Sequence, residues 1–353
     1  MNKLMKLLAL LFALTLVAAA CGSDDGDSGD DDDNMEEEGS DSGDSDDEDG
    51  DAMDDSDDEE VDQTQGGDLT FHMITHSDDG PFWSVLKRGA EAAAEDVGVE
   101  LVWLGSNNDP NKQANDIEAA IAEGSNGIAA SLPSPDQLIP VLQQAVEAGI
   151  PVYTLNSGVN DYQAIGATTH VGQTEVIAGN GAGERFNALG ATHVLCGFQE
   201  QDNVALLERC QGLEETFDGE VTTEFMGLDA DQTAQEQGIN AALSADDSID
   251  GFLGVGPVIT MSGFRAAEAL GRDLHIGGFD ITPELLDAIE GGNVAFTVDQ
   301  QQYLQGYIPV ILMFLENTNS NTLGGGLPIL TGPGFVTPEN APSVKALVEA
   351  GTR

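Results

Sequence analysis

The alternation of short apolar segments with helical patterns is the feature that most constrains how this chain folds. From Leu69 onward, helical patterns near residues 82–96, 111–124 and 136–149 separate apolar runs, and each pattern has the length of one crossover between strands. The apolar runs predict strands at 69–75, 99–104, 127–132 and 151–155. Strands joined in this way pair in parallel, so we expect an α/β sheet with helices on both faces.

The same alternation restarts after residue 174 and predicts a second lobe of the same kind. Helices are predicted at 174–189, 203–217, 232–245, 259–271 and 283–291, with strands between them at 192–198, 220–226, 250–255, 274–279 and 294–298. A last helix is predicted from Tyr303 to Glu316, and its apolar stretch of eight residues is too short to span a membrane. The expected fold class is α/β, with two similar doubly wound parallel-sheet lobes.

The first 21 residues have the pattern of an export signal. Lys3 and Lys6 precede an apolar run, and three alanines then lead into Cys21. A cysteine after small residues resembles the bacterial lipobox, in which the thiol is acylated, although Ala18 stands where Leu is commonest. We therefore expect residues 1–21 to be a lipoprotein signal peptide and a lipid on Cys21 to hold the exported protein at the outer face of the membrane or in the periplasm. Plain secretion is the alternative.

Charge excludes one class of partner and defines a linker. The 353 residues include 64 Asp and Glu against 11 Lys and Arg, a net charge of −53, which excludes a protein that binds duplex nucleic acid. Residues 22–66 hold 24 of the acids and no base, so they predict a disordered acidic tether. From residue 67 onward, 40 acids still face 9 bases, and such a surface repels anionic ligands.

If Cys21 carries lipid, Cys196 and Cys210 remain as a pair in an oxidising compartment. They can form a disulfide only if the helix that holds Cys210 folds back beside the strand that holds Cys196. Two separate buried thiols are the alternative. No His or Cys lies near them at the spacing of metal ligands, and we predict no metal site.

Motifs for catalysis and cofactors are weak or absent in the sequence. The segment Gly179–Gly183 is rich in glycine, but Glu184 takes the place of the last glycine of a dinucleotide fingerprint, and the segment lies inside a helical pattern. The sequence contains no phosphate loop, no His-Glu-x-x-His and no Gly-x-Ser-x-Gly. We therefore predict a protein that is not an enzyme and holds no cofactor.

Polar and aromatic side chains follow several of the predicted strands. Ligands of open parallel sheets bind at the carboxyl ends of strands, so these residues form the candidate site. Aromatic rings that cover the C–H face of a sugar, together with amides and carboxylates that bond its hydroxyls, are the combination that sugars need. The candidates are His76, Phe82, Trp83, Asn156, Asn203, Arg209, Asp280 and Gln300.

Several motifs follow one another in order over residues 68–330. They are Pro81-Phe82-Trp83, residues 86–90, residues 148–152 before Asn156, Gly278-Phe279-Asp280, and Gln300. Their order and spacing resemble those of ribose-type sugar-binding proteins of bacterial ABC importers, which are type I periplasmic binding proteins. This resemblance implies two lobes joined by three hinge strands, closure over one small neutral sugar or polyol, docking on a membrane permease, and a monomer. It implies one lobe of residues 67–171 plus 301–330 and another of 172–300 plus 331–353.

The resemblance also implies roles and shows departures. It implies that Phe82 and Trp83 form the aromatic side, that Asn156 and Asp280 bind hydroxyls from opposite lobes, and that Gln300 is an amide near the hinge. Asn156-Ser157 replaces the family's Asp-Arg, Gly256-Pro257 stands where Asn-Asp is usual, and Leu207 occupies the place of a binding Arg for which Arg209 can substitute. Pentoses, hexoses and small polyols therefore remain open. His76 and Asn203 are additional candidates.

Each candidate also has a structural alternative. Trp83 is then a core residue, Asp280 caps the helix that starts near Pro283, and Arg209 pairs with Glu208 or Glu175 on a solvated face. For Asn156 and Gln300 the alternative is a hydrogen bond to the backbone. Two other functions compete with import: a sensory receptor of the same fold that reports a small signal molecule, and a secreted α/β enzyme.

Overall fold

The computed structural model describes residues 66–229 and 231–353. The predicted signal peptide with Cys21, and the tether apart from Gly66, lie outside the described residues. Within the described ranges, no helix combines the length and the apolar character that crossing a membrane requires.

Six parallel strands form the first sheet. They are β1 (Thr70–Thr75), β2 (Glu100–Gly105), β3 (Gly127–Ser131), β4 (Val152–Asn156), β5 (Thr169–Gly172) and β11 (Ile329–Leu330). Their order across the sheet is β11-β5-β4-β3-β1-β2. The order of strands in the sheet differs from their order in the chain at the first three strands. β2 lies at the edge beside β1, and β3 lies on the other side of β1.

The second sheet repeats this arrangement. Its strands are β6 (His193–Phe198), β7 (Glu220–Phe225), β8 (Gly251–Gly254), β9 (His275–Phe279), β10 (Phe296–Asp299) and β12 (Gly334–Val336), in the order β12-β10-β9-β8-β6-β7. Only β12 runs antiparallel, against β10. The predicted class of two similar doubly wound α/β lobes is confirmed.

Helices cover both faces of each sheet. They are α1 (Gly80–Val97), α2 (Pro110–Ala122), α3 (Pro135–Glu147), α4 (Tyr162–Ile165), α5 (Glu175–Leu189), α6 (Val204–Thr216), α7 (Gln232–Ala245), α8 (Pro257–Leu270), α9 (Pro283–Glu290), α10 (Gln302–Asn319) and α11 (Ala341–Ala350). Several starts follow from local chemistry: Asp109 accepts hydrogen bonds from the Asn111 and Lys112 amides, with Pro110 in the first turn.

Alternate residues of the central strands enter opposite layers of the core. In β1, Phe71 and Met73 pack with α1 and α10, whereas Ile74 packs with α2 and α3. Both sets are fully buried. A parallel sheet covered on both faces accounts for the nearly continuous apolar runs on which the strand predictions rested.

The sequence did not predict five of these elements: β5, β11, β12, α4 and α11. β5 reads Thr-His-Val-Gly and has no apolar run, while β11 and β12 are two and three residues long. Such short strands exist because a formed sheet edge offers them hydrogen-bonding partners, and local sequence carries little trace of that.

The chain passes between the sheets three times, at residues 173–174, 300–301 and 331–333. The three crossings lie against one another: the Gln301 side-chain amide donates to the Thr331 carbonyl at 2.6 Å, and a Cβ atom at Gly332 would lie 2.8 Å from Gln173 Oε1 and 3.0 Å from Gln300 Cα. A bundle of three short segments therefore joins the two lobes.

Cys196 of β6 and Cys210 of α6 form a disulfide, with their Cα atoms 5.9 Å apart. Helix α6 folds back over β6, as the pairing requires. Both residues lie in the apolar layer that α5 and α6 form on the second sheet. The disulfide thus fastens the helix that carries Arg209 to the strand beside it.

We predict that opening this disulfide destabilises the protein without unfolding it at room temperature. Closing a loop of about 15 residues contributes about 3 kcal/mol through the entropy of the unfolded chain. Urea denaturation should therefore show a lower midpoint in the presence of a thiol reductant. The Cys196→Ala/Cys210→Ala variant is the control and should not respond to the reductant. An unchanged wild-type midpoint, together with two alkylated thiols in mass spectrometry of non-reduced protein, would contradict the prediction.

Candidate functional site

A cavity of about 620 Å³ lies between the carboxyl ends of the two sheets. Segments after β1, β2 and β4 line it from the first lobe, and segments after β6, β7, β8 and β9 line it from the second. The structure brings all eight candidate residues together around this cavity: His76, Phe82, Trp83, Asn156, Asn203, Arg209, Asp280 and Gln300. That they contact a ligand stays a prediction.

One wall of the cavity is aromatic. The ring of Trp83 meets Phe82 edge to face, with centroids 5.0 Å apart, and meets His76 in the same way at 4.7 Å. Because the Phe82 and Trp83 planes are 80° apart, the two rings do not stack in parallel on one ligand. Trp83 is also buried in the core of the first lobe. Trp83 therefore packs in the core and also lines the cavity.

Asn156 and Asp280 occupy equivalent positions in the two lobes. Asn156 ends β4 and Asp280 follows β9, and these strands hold the same place in their sheets. Both residues have left-handed backbone angles, with φ of 61° and 63°, a conformation in which Asn and Asp are enriched among residues other than glycine. The backbone turns at this point and leaves a buried polar side chain on the cavity from each lobe.

Asp280 is bonded to the segments that join the lobes. Gln300 donates to Asp280 Oδ1 at 2.7 Å, and Gln305 donates to Gln300 Oε1 at 2.8 Å. Gln305 also donates to the Thr331 hydroxyl. This chain of hydrogen bonds connects the third crossing to the cavity through the second, and it fixes the amide of Gln300 so that its NH₂ group faces the carboxylate.

Arg209 is buried and held by a second chain. Glu175 binds its guanidinium through two bonds of 2.7 and 3.2 Å, and the Val255 carbonyl accepts a third at 2.8 Å. Gln173, on the first crossing, donates to Glu175. Arg209 Nη1 lies 3.7 Å from Asp280 Oδ2, so the two chains meet at Asp280.

Close packing of α5 against α6 makes the Glu175–Arg209 pair possible. A Cβ atom at Gly179 would collide with the Arg209 carbonyl, and one at Gly212 would collide with the Val176 carbonyl. The two backbones therefore touch, and the glycine-rich segment serves helix packing, as its position inside a helix predicts.

Burial and charge act in opposite directions in this network. Burial raises the pKa of the Asp280 carboxyl to about 6, because loss of hydration outweighs the attraction of Arg209 and the hydrogen bond from Gln300. Burial works to lower the pKa of Arg209, but Glu175 and Asp280 prevail and the pKa is raised. Arg209 therefore stays charged, and the protonation state of Asp280 changes near pH 6.

His76 lies where the lobes touch. Its Nδ1 atom is 2.8 Å from the Ser131 hydroxyl in its own lobe, and its Nε2 atom is 3.6 Å from Glu200 and 3.4 Å from the Asn203 amide in the other. Burial lowers the pKa of His76 although Glu200 opposes that shift. A neutral imidazole that accepts from Asn203 fits this geometry.

Comparison with known proteins decides the family. Residues 71–315 match the family model described as periplasmic binding protein domain. The chain belongs to this family of periplasmic binding proteins. A xylose/arabinose-binding protein of Sulfolobus acidocaldarius is 28% identical over 76% of this chain and 71% of its own.

A solved relative shares the fold over its whole length. The carbohydrate transporter from Acidothermus cellulolyticus, solved in complex with myo-inositol, is 38% identical, with a TM-score of 0.78 over 81% of this chain and 100% of its own. A ribose import binding protein of Haemophilus influenzae is 25% identical over 71% of this chain and 86% of its own. The Sulfolobus and Haemophilus relatives are binding proteins, so the predictions of a type I periplasmic binding protein and of a chain that is not an enzyme are confirmed.

Two of the structural alternatives do not hold in this periplasmic binding protein. Thr282, not Asp280, caps α9, because its side chain accepts from the Leu285 amide. Arg209 does pair with Glu175, but the pair is buried and lies at the cavity, not on a solvated face. Asn203 has a structural role as well, since its side chain oxygen caps α6 while its NH₂ group bonds Glu200.

Sequence reasoning missed several residues that shape this cavity. Glu200 and Asp229 line it, and both follow strands of the second sheet, so the rule that found Asn203 covers them too. Burial raises the pKa of Asp229 to about 6, with the Gln235 hydrogen bond opposing. Glu175 and Gln305 were not identified as members of the site, because their importance depends on which side chains they reach in the folded protein.

We predict that Asp280→Asn makes the folded protein more stable at neutral pH. The pKa of Asp280 is about 6 in the folded protein, above the roughly 3.9 of an unfolded Asp, so its contribution to stability is greatest below pH 4 and is lost as the pH rises through 6. The variant should unfold with the wild-type free energy near pH 4 and with about 2–3 kcal/mol more at pH 7. Urea denaturation across this range measures the difference.

The control for this prediction is Thr282→Ala, which removes the true cap of α9 and should cost about 1 kcal/mol at every pH. A loss of stability in Asp280→Asn that is likewise independent of pH would contradict the prediction and assign Asp280 a structural role.

Proposed function

We propose that this protein captures a neutral monosaccharide or cyclic polyol between its lobes and delivers it to an ABC import permease. The observation that carries the proposal is the convergence of aromatic, amide and carboxylate side chains from both lobes on one cavity. The rings cover apolar C–H faces, and Asn156, Asp280 and Gln300 supply acceptors and donors for hydroxyl groups.

Charge supports an uncharged ligand. Among the described residues that line the cavity, Asp79, Glu200, Asp229 and Asp280 are acidic; the basic ones are Arg209 and His76, and burial lowers the pKa of His76 and favours its neutral form. Because Glu175 already binds Arg209 through two bonds, little positive potential is left for an anion. Sugar acids and sugar phosphates are therefore disfavoured.

The relatives narrow the ligand class. One is named for xylose and arabinose, and another was solved with myo-inositol. These compounds share a compact ring that carries several hydroxyl groups and no charge. We therefore place pentoses and inositols first among the candidates.

Lobe closure is the proposed mechanism of capture. We assign residues 67–171 and 301–330 to one lobe and residues 172–300 and 331–353 to the other, because the strands of the two sheets divide along these ranges, except that Gly172 ends β5 of the first sheet. A ligand shifts the equilibrium toward the closed form only to the extent that it contacts both lobes. Asn156 from one lobe and Asp280 from the other provide such contacts, and we infer that both bind ligand hydroxyls.

We further propose that the protein acts as a monomer at the outer face of the cell membrane. Lipid on Cys21 is the proposed anchor, and the acidic segment at 22–66 is the proposed spacer between that anchor and the lobes.

Titration calorimetry of the full-length protein tests the proposed ligand class. We expect saturable binding of at least one of myo-inositol, D-xylose, L-arabinose and D-ribose, and no binding of glucuronate or ribose 5-phosphate. Trp83→Ala should weaken binding of that ligand by roughly 10-fold or more, since an aromatic contact is lost. Trp103→Ala is the matched control, because Trp103 is the other tryptophan and does not line the cavity.

Two outcomes of this titration would contradict the proposal. One is the absence of heat with every neutral ligand when the protein is folded. The other is preferential binding of the charged compounds.

The lipid anchor has a separate test. Wild-type protein expressed in a bacterial host should fractionate with membranes, and its mature N-terminal peptide should carry the mass of an acylated Cys21. Cys21→Ser should release the protein into the soluble exported fraction and leave sugar affinity unchanged. An unmodified Cys21 in a soluble wild-type protein would contradict the proposed lipid anchor. It would not contradict the proposed binding function.

A further inference from the structure

A second cavity of about 330 Å³ adjoins the first and lies on the side where the lobes touch. Its volume alone reaches the range of about 300–1,000 Å³ typical of small-molecule pockets. The residues that line both cavities are His76, Asn107, Asn108, Glu200, Asn203 and Leu228. The two spaces therefore lie side by side, and an extended ligand that occupied both would pass between these shared residues.

The second cavity contains a buried acceptor with no partner. Gln113 has 0% exposure, and its amide NH₂ group donates to the Ser131 carbonyl at 2.8 Å and to the Ile74 carbonyl at 3.3 Å. Its Oε1 atom has no hydrogen-bond partner among the described residues. A buried carbonyl oxygen without a donor is costly, so Gln113 favours an occupant that carries hydroxyl groups.

Another side of this cavity is apolar and exposed. Phe225 and Leu228 line it and are 38% and 53% exposed. The Phe225 ring contacts Phe198, with centroids 5.7 Å apart, which holds it in place. An exposed ring facing a cavity that also holds an unpaired acceptor repeats, in a second place, the combination that suits a sugar ring.

Contacts between the lobes shape this cavity without further closure. The Ser134 hydroxyl donates to the Asp202 carbonyl at 3.1 Å, and the Val204 amide donates to the Pro133 carbonyl at 3.1 Å. Pro133, Ser134 and Asp202 line the cavity. Because these bonds join one lobe to the other, the cavity exists in a state in which the lobes already meet.

We propose that the second cavity is a subsite for a second sugar ring. The proposal rests on the proposed function, since the first ring occupies the main cavity. The protein then binds a glycoside, either a disaccharide or a glycosylated cyclic polyol, more tightly than it binds the first ring alone. Phe225 determines this preference, and Gln113 Oε1 accepts a hydroxyl of the second ring.

The experiment compares each small ligand with its glycoside by titration of the full-length protein. The pairs are myo-inositol with galactosyl-myo-inositol, D-xylose with xylobiose, and L-arabinose with arabinobiose. We expect the glycoside of the bound ligand to bind about 2- to 10-fold more tightly, the gain of one added aromatic contact. A glycoside that binds more weakly than its small ligand would overturn the subsite.

Variants test whether the second cavity causes the gain in affinity for the glycoside. Phe225→Ala should remove it and leave the dissociation constant of the small ligand unchanged. Leu189→Ala is the matched control, because Leu189 is also 38% exposed, belongs to the second lobe and does not line either cavity, so the gain should persist. Persistence of the gain in Phe225→Ala would contradict the proposal.

A last arm separates a sugar ring from an apolar group. A phenyl glycoside of the bound ligand should gain less than the disaccharide, because it offers Gln113 no hydroxyl. An equal or larger gain would show an apolar groove and overturn the proposal. Failure of every small ligand and every glycoside to bind would instead remove the proposed function on which the subsite rests.

Discussion

The buried guanidinium of Arg209 requires opposite charge at short range, and the cavity is organised around that requirement. A buried cation without partners costs several kcal/mol, roughly 3–5 when one member of such a pair is removed. Glu175 meets the need through two bonds, which the direct contact of α5 with α6 permits. Asp280 is then a second carboxylate near a cation that is already paired. Because Arg209 does not need Asp280 as its partner, the Asp280 carboxylate is available to a ligand.

Asp280 also connects the ligand site to the segments that join the lobes. One chain runs from Gln173 on the first crossing through Glu175 and Arg209, and the other runs from Thr331 on the third crossing through Gln305 and Gln300. A hydroxyl that bonds Asp280 therefore acts on a network anchored at all three crossings. If the ligand bonds Asp280 as proposed, recognition and lobe closure use the same hydrogen bonds, and the residues between the lobes contribute to selectivity.

The sequence was sufficient for the parallel topology and for the strand ends that line the cavity, because both follow from periodicity and from the position of strand ends. His76, Asn156 and Asp280 were accessible in this way. The geometry of their partners was not accessible: Glu175 was named only as one of two acids that could pair with Arg209 on a solvated face, and Gln305 matters only because α10 brings it to Gln300. Likewise β5, β11 and β12 depend on edges that form elsewhere in the chain. Side-chain pairs and edge strands form when segments distant in sequence come together in the fold. The periodicity of the sequence does not predict which segments meet.

The central claim is that a neutral ring between the lobes bonds Asp280, and a crystal structure with a bound sugar or inositol tests it most directly. The account predicts a ligand hydroxyl within hydrogen-bond distance of Asp280, a second hydroxyl on Asn156, and the ring against Trp83 and Phe82, while Glu175 still holds Arg209. A ligand that contacts only one lobe, or that leaves Asp280 bonded to Gln300 and Arg209 alone, would contradict it.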